Sequence, residues 1–199
     1  MKNLAAASRK DIIFMIILAT ACSILILATR TAVGEKAEVP QAAAEAIVAL
    51  SSLDSQLPAF EAVQKHFIRR SSGRFIWWQA NEKPQLWACL ATGAGMWAEI
   101  RLVFMYRADQ RRVAGMRVIE QNETAGLGDR IADISFYEKF DDLLAAGEIK
   151  MTLTGAGQGQ FDAITGATVT SGAVQNIINR ALKHQQKLVD DASQSGGRS

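Results

Sequence analysis

"AEIRLVFMYRADQRRVAGMRVIEQ", residues 98–121, decides the fold. Apolar residues recur at every second position through Ile100, Leu102 and Phe104, a polar turn interrupts them, and a second run extends from Val113 to Ile119. That period-2 pattern on both sides of a turn predicts a β-hairpin. Upstream, "GRFIWWQANEKPQLWACLAT", residues 73–92, repeats the design, with two aromatic and aliphatic runs around "NEKP". Two successive hairpins predict a small antiparallel sheet. Trp77, Trp78, Trp87 and Trp97 fall in this region. Their default role is packing on the sheet, and Trp97, beside "GAG", is the one placed to approach a ligand.

Further outward the periodicity becomes helical. "FYEKFDDLLAAGEI", residues 136–149, sets Phe136, Phe140, Leu143 and Leu144 on one helical face, with Gly147 as a stop. Val174, Ile177, Ile178, Ala181 and Leu182 form an i, i+3, i+4, i+7, i+8 stripe that predicts a final helix. Before the sheet, "EKAEVPQAAAEAIVALSSL" reads as a helix begun near Pro40, where a missing amide hydrogen is harmless. "PAFEAVQKHF" reads as a second, short helix; both are support rather than chemistry. The tail "DDASQSGGRS", residues 190–199, is expected to be disordered. The sum is an α+β domain of antiparallel hairpins packed with helices.

The chain has 199 residues, 49% of them hydrophobic, enough for one domain with a true core plus accessories. Of 22 basic residues, four (Lys2, Arg9, Lys10 and Arg30) lie in the first thirty with one acid, Asp11. The remainder carries 18 basic against 19 acidic residues, so no basic nucleic-acid footprint marks the folded part. Cys22 lies in an apolar run and Cys89 in an expected strand, so their pairing is not expected. His66 and His184 share no metal-ligand spacing with them, and each is expected on a solvated helix face.

Residues 12–29, "IIFMIILATACSILILAT", are eighteen in a row without charge. As a helix they extend about 27 Å, close to a bilayer's hydrocarbon thickness. Basic residues precede the run and mixed charges follow it, which sets the N-terminus in the cytoplasm and everything after residue 30 outside. A cleaved signal has a shorter apolar core. "LATAC" has the look of an acylation site, but the run continues through "SILILA". A retained single-pass inner-membrane anchor is therefore expected. The organisation reads as a cytoplasmic N-terminus at 1–11, a transmembrane helix at 12–32, a juxtamembrane helical segment at 33–73, the main domain at 74–189 and a tail at 190–199.

Two stretches carry possible chemistry. In "NETAGLGDRI", residues 122–131, Gly126 and Gly128 free the backbone for close ligand approach, beside Glu123, Thr124 and Asp129. In "FDAITGATVTSGAVQNIINRALK", residues 161–183, Thr165, Thr168, Thr170 and Ser171 crowd the start of the final helix. A helix start favours a phosphate. Thr168 offers a hydroxyl for attachment, and Thr170 or Ser171 offers an N-cap. By themselves these residues leave two readings open, an over-built helix start and a place where something is joined. No paired catalytic carboxylates or nucleophile–His constellation is visible.

"DAITGATVTSGAV", with "NETAGLGDRI" and "GAGMW" upstream and an N-terminal apolar run, resembles the G subunit of the Rnf electron-transport complex. It is similar, more distantly, to the C subunit of the sodium-pumping NADH:quinone oxidoreductase. The resemblance covers about residues 74–183. It implies FMN joined through its phosphate to Thr168, the last residue of Thr165-Gly166-Ala167-Thr168. It further implies a flavin transferase that uses FAD and reads a motif including Asp162. Glu123, Thr124, Gly126, Leu127 and Gly128 are then expected around the flavin, with Thr170 and Ser171 nearby. The family's loop usually carries proline where this chain has Ala125, which loosens that loop's preset φ.

The implied function is that of a membrane-anchored flavoprotein subunit, with a domain outside the cytoplasm, partnered by the other subunits of an Rnf-type ion-translocating complex. It relays electrons and is not a stand-alone catalyst. Phosphate attachment leaves the flavin ring free to be tuned by its surroundings, and a tether prevents loss of the cofactor. The alternatives are the corresponding subunit of the NADH:quinone pump and a cofactor-free, membrane-tethered assembly module.

Overall fold

The computed structural model describes residues 9–32, 39–53, 56–71 and 73–195, side chains at 9–12, 25–32 and 191–195 excepted. The chain divides into two units at residues 38/39. The first holds helix α1 (Arg9–Ala32), in which Ile13–Leu18 and Ile24 are exposed apolar side chains. Among the described residues no helix is long and apolar enough to cross a membrane; the expected span 12–32 lies partly outside the described side chains. The N-terminal stretch 1–8 also lies outside the described residues.

The second unit begins with α2 (Gln41–Ser51) and α3 (Ala59–His66), each preceded by a proline, Pro40 or Pro58. Strands follow as β1 (Phe67–Arg69), β2 (Phe75–Ala80), β3 (Leu86–Ala94), β4 (Glu99–Arg107) and β5 (Arg112–Glu120). The expected hairpins are β2–β3 and β4–β5, antiparallel, and β3 pairs with β4 as well. With a short β6 (Leu143–Leu144) they form one six-stranded sheet in sequence order. α2, α3 and β1 thus belong to the same unit as the sheet.

Alternation along the strands builds a separate core on each sheet face. Trp78, Ala88, Leu90, Val103 and Met105 face Ala43, Ala44, Ile47 and Val63 of α2 and α3. Trp77, Trp87, Cys89, Ile100, Leu102 and Phe104 face the C-terminal elements. On that side the Trp77 ring meets Phe104 edge-on, with centroids 5.4 Å apart. Burial pushes the Cys89 thiol well above its ordinary pKa, which makes it a core atom rather than a reactive one. Both cysteines are free thiols.

The C-terminal elements are α4 (Ile134–Tyr137), β7 (Lys150–Thr152), β8 (Gln160–Asp162) and α5 (Thr168–Ser195). The helix expected over 136–149 is not formed. α4 passes into a single 3-10 turn, Glu138–Phe140, and the chain then turns at Asp142 with φ +60°. Arg107 and Arg112 each hold the Asp142 carboxylate at 3.0 Å, and Leu143–Leu144 pair with Arg112–Val113 on the sheet edge. Long-range pairing overrides the helical spacing. The parallel β7–β8 pair flanking "TGAGQGQ" was not expected.

α5 runs to Ser195, into the stretch 190–199 expected to be disordered; residues 196–199 lie outside the described residues. Its apolar stripe is buried as expected. Polar residues also fasten it: the buried Asn179 amide accepts from Ile149 N at 2.9 Å and donates to Ile149 O at 3.0 Å, and Gln175 accepts from Met151 N. Neither histidine is fully solvated. His66 and His184 are half-buried, and the His184 ring lies 5.8 Å from that of Phe75.

Candidate functional site

α5 begins at Thr168, and its first i→i−4 bond runs from Ser171 N to Ala167 O. The amides of Thr168, Val169 and Thr170 precede that bond and have no acceptor within the helix. Thr170 and Ser171 therefore sit inside the first turn, and neither is the N-cap that the sequence suggested. The four hydroxyls divide into two pairs. Thr170 is 2% exposed and donates to Glu123 Oε2 at 2.6 Å, while Ser171 is fully buried and accepts from Ile164 N at 3.1 Å. Thr165 and Thr168 are exposed, and among the described residues no side chain or backbone group engages the Thr168 hydroxyl.

Thr168 lines a cleft of about 310 Å³ with Met96, Thr124, Leu127, Gly128 and the stretch 166–170. No charged residue lines it, and Met96, Leu127 and Val169 present exposed apolar side chains there. Gly166, with φ +84°, bends the chain so that Ala167 turns inward and Thr168 outward. The "NETAGLGDRI" stretch forms the facing wall, with Gly126 in a tight turn and Gly128 opening a 3-10 turn to Ala132.

Glu123 joins the walls from beneath. One carboxylate oxygen accepts from Met96 N at 3.0 Å and Trp97 N at 3.2 Å; the other takes the Thr170 hydroxyl. Three donors on one carboxylate satisfy its charge and fix three segments distant in sequence. Gly128 is required by this approach, because a Cβ there would stand 2.8 Å from Glu123 Cβ and 2.9 Å from Thr170 Oγ1. Trp97, 69% exposed, donates its indole N–H to Thr124 Oγ1 at 2.9 Å and so rests on the same wall.

The structure brings together most of the residues singled out in the sequence, but Asp162 stands apart from the cleft. Its carboxylate accepts from Ala156 N at 2.9 Å and Thr152 Oγ1 at 3.4 Å, closing the glycine-rich loop, and its backbone oxygen accepts from Lys139 Nζ. Sequence reasoning missed Met96 and Val169. Their signal was an apolar residue next to each glycine- or threonine-rich turn, too common a pattern to single out.

Known proteins match part of this chain. Residues 95–183 match the family model of the FMN-binding domain. The G subunit of the ion-translocating oxidoreductase complex of Pectobacterium atrosepticum is 40% identical over 83 residues, 39% of this chain and 38% of that protein. The G subunit of the Na(+)-translocating ferredoxin:NAD(+) oxidoreductase complex of Acetobacterium woodii is 26% identical over 130 residues, covering 64% and 58%. The crystal structure of NqrC from Shewanella oneidensis matches with a TM-score of 0.54 at 15% identity, over 68% of this chain and 88% of that one, a likeness of fold. The chain spans about two-fifths of the length of curated relatives such as the Pectobacterium protein. Residues 95–183 are thus similar to the FMN-binding domain family, and parts of the chain are similar to these G subunits.

Proposed function

We propose that this chain is the flavin-carrying subunit of an Rnf-type ion-translocating complex, with FMN esterified through its phosphate to Thr168. The observation that carries the reading is the unengaged Thr168 hydroxyl. It stands at the first residue of a long helix, in an uncharged cleft within a fold of FMN-binding type. The residues suit such a group: the free amides of Thr168–Thr170 and the partial positive charge of the helix start favour a phosphate. Met96, Leu127 and Val169 supply apolar surface for a planar ring.

Bound FMN supplies one- and two-electron redox chemistry. Thr168 Oγ1 would hold the FMN phosphate as an ester, its hydroxyl losing the proton and AMP being the group released from FAD. Thr124, Gly126, Leu127 and Gly128 shape one wall, and Thr165, Gly166 and Ala167 present Thr168 to the transferase. Asp162 orders the adjoining glycine-rich loop. Glu123, Thr170 and Ser171 fix the site without touching the attachment oxygen. The helix 12–32, with its apolar run 12–29, anchors the chain in the inner membrane, with the domain outside the cytoplasm, where it meets the other subunits of the complex.

Thr168→Ala, expressed with a flavin transferase, tests this. The parent chain is expected to show in-gel flavin fluorescence after denaturation and a mass increment of one FMN. The variant is expected to lose both while its melting temperature holds. Equal flavin content in parent and variant, with complex assembly lost in the variant, would instead support an assembly module.

A further inference from the structure

A second cleft, of about 200 Å³, opens between the end of β3 and the outer side of α5. Its polar residues are Arg74, Thr92, Asn176 and Arg180, its walls include Phe75 and Ile177, and no carboxylate lines it. Elsewhere most of the domain's described guanidinium groups have a partner, Arg111 on the β4–β5 turn excepted. Arg101, Arg107, Arg112 and Arg130 each meet a carboxylate, at 2.9 to 3.6 Å. Arg70 and Arg117 donate to uncharged oxygens. Among the described residues Arg74 and Arg180 do neither, and both line the same cleft. Two like charges at one cleft repel each other unless an anion joins them, and a guanidinium is charged at every working pH.

We infer that Arg74 and Arg180, brought to one cleft where the start of β2 and the end of β3 meet α5, form a binding site for a single oxyanion of phosphate or carboxylate type. The two planar forks suit paired N–H···O bonds to such a group, and the Asn176 amide adds a neutral donor. About 200 Å³ admits a phosphate or a carboxylate side chain rather than a large nucleotide. The cleft shares no lining residue with that of Thr168, so the site is independent of flavin attachment. Arg180 lies twelve residues along α5 from Thr168, about 18 Å at helical rise. The oxyanion comes either from solution, as free phosphate, or from the acidic side chain of a neighbouring protein.

The test is an NMR titration of the full-length protein, following arginine Hε–Nε and backbone amide signals. Inorganic phosphate and a hexaglutamate peptide are added in separate arms at constant ionic strength, with chloride as the control. A saturable shift at Arg74 and Arg180 is expected in at least one arm. Saturation by phosphate identifies a free oxyanion, and saturation by the peptide alone identifies a protein carboxylate. Arg74→Gln with Arg180→Gln is expected to weaken binding about tenfold or more. Arg111→Gln, which removes another arginine without an ion pair but outside this cleft, is expected to leave it unchanged. The inference is overturned if shifts grow linearly as in chloride, if they centre on Val169 and Thr170, or if Arg111→Gln weakens binding equally.

Discussion

The two faces of the sheet are made by alternate residues of the same strands, yet they are covered in different ways. Behind Trp78, Leu90, Val103 and Met105 lie α2 and α3, whose inner sides are alanine, isoleucine and valine. Behind Trp77, Leu102 and Phe104 lies α5, apolar along one stripe but fastened at Gln175 and Asn179 by polar bonds and open to a cleft at its start. The first face is closed chiefly by burial, with Asn81 donating to Lys65 O and His66 O at the end of α3. The second adds directional contacts, and those contacts position a surface hydroxyl. A fold of this kind assigns stability to one side of a sheet and both stability and chemistry to the other.

The sharpest way to break that comparison is to cut equally into both cores. Phe104→Ala removes a fully buried ring in edge contact with Trp77, and Ile47→Ala opens the opposite face. Losses of roughly 3–5 and 2–5 kcal/mol are expected by urea denaturation. With a transferase present, only the Phe104 change should also lower flavin loading in the fraction that remains folded. Equal loss of loading from Ile47→Ala would mean that the faces do not divide the work.

Asn179→Ala probes the polar fastening. It leaves Ile149 N–H and C=O unpaired in a buried place, an expected loss of about 2–3 kcal/mol. Protection of Ile149 and Met151 amides in hydrogen exchange should fall before that of β3 and β4. A uniform loss of protection would show α5 to be held by its stripe alone. Glu123→Ala should cost about 1–2 kcal/mol, less because the carboxylate is only half-buried. Its larger effect is expected on flavin loading, since Met96, Trp97 and Thr170 lose their common partner. Glu123→Gln, which keeps one acceptor oxygen for Met96 N and Trp97 N and can donate its amide to the Thr170 hydroxyl, should restore most of it.

The same division explains what the sequence made legible. The hairpins, the Pro-initiated helices and the stripe of α5 depend on local periodicity and were readable. Leu143 and Leu144 were misread as helical because their pairing with β5 and the Asp142 turn depend on Arg107 and Arg112, some thirty residues away. In the site, the glycines and Thr168 stood out. The roles of Thr170 and Ser171 did not, because a hydroxyl that caps and one that binds a distant carboxylate or amide look identical in a sequence. Glu123 was visible as a polar neighbour, but its bridging of "GAGMW" to α5 required the three segments in space.

The smallest expected effect concerns the surface end of the α5 fastening. Lys183 Nζ lies 2.6 Å from Glu148 Oε1, and that hydrogen bond, with the lysine's charge, holds the Glu148 carboxyl below the ordinary carboxylate range. A carboxylate with a lowered folded-state pKa stabilises the fold above its unfolded value, and that contribution disappears as pH falls through the lower, folded one. Both side chains are exposed, so water and salt screen the pair. Melting temperatures compared at neutral and acid pH should therefore show Glu148→Gln slightly less stable than the parent at neutral pH. The two should converge at acid pH, and the neutral-pH gap should shrink in high salt. A gap that survives both acid and salt would make the contact one of packing, and no ion pair would then fasten α5 along its described side chains.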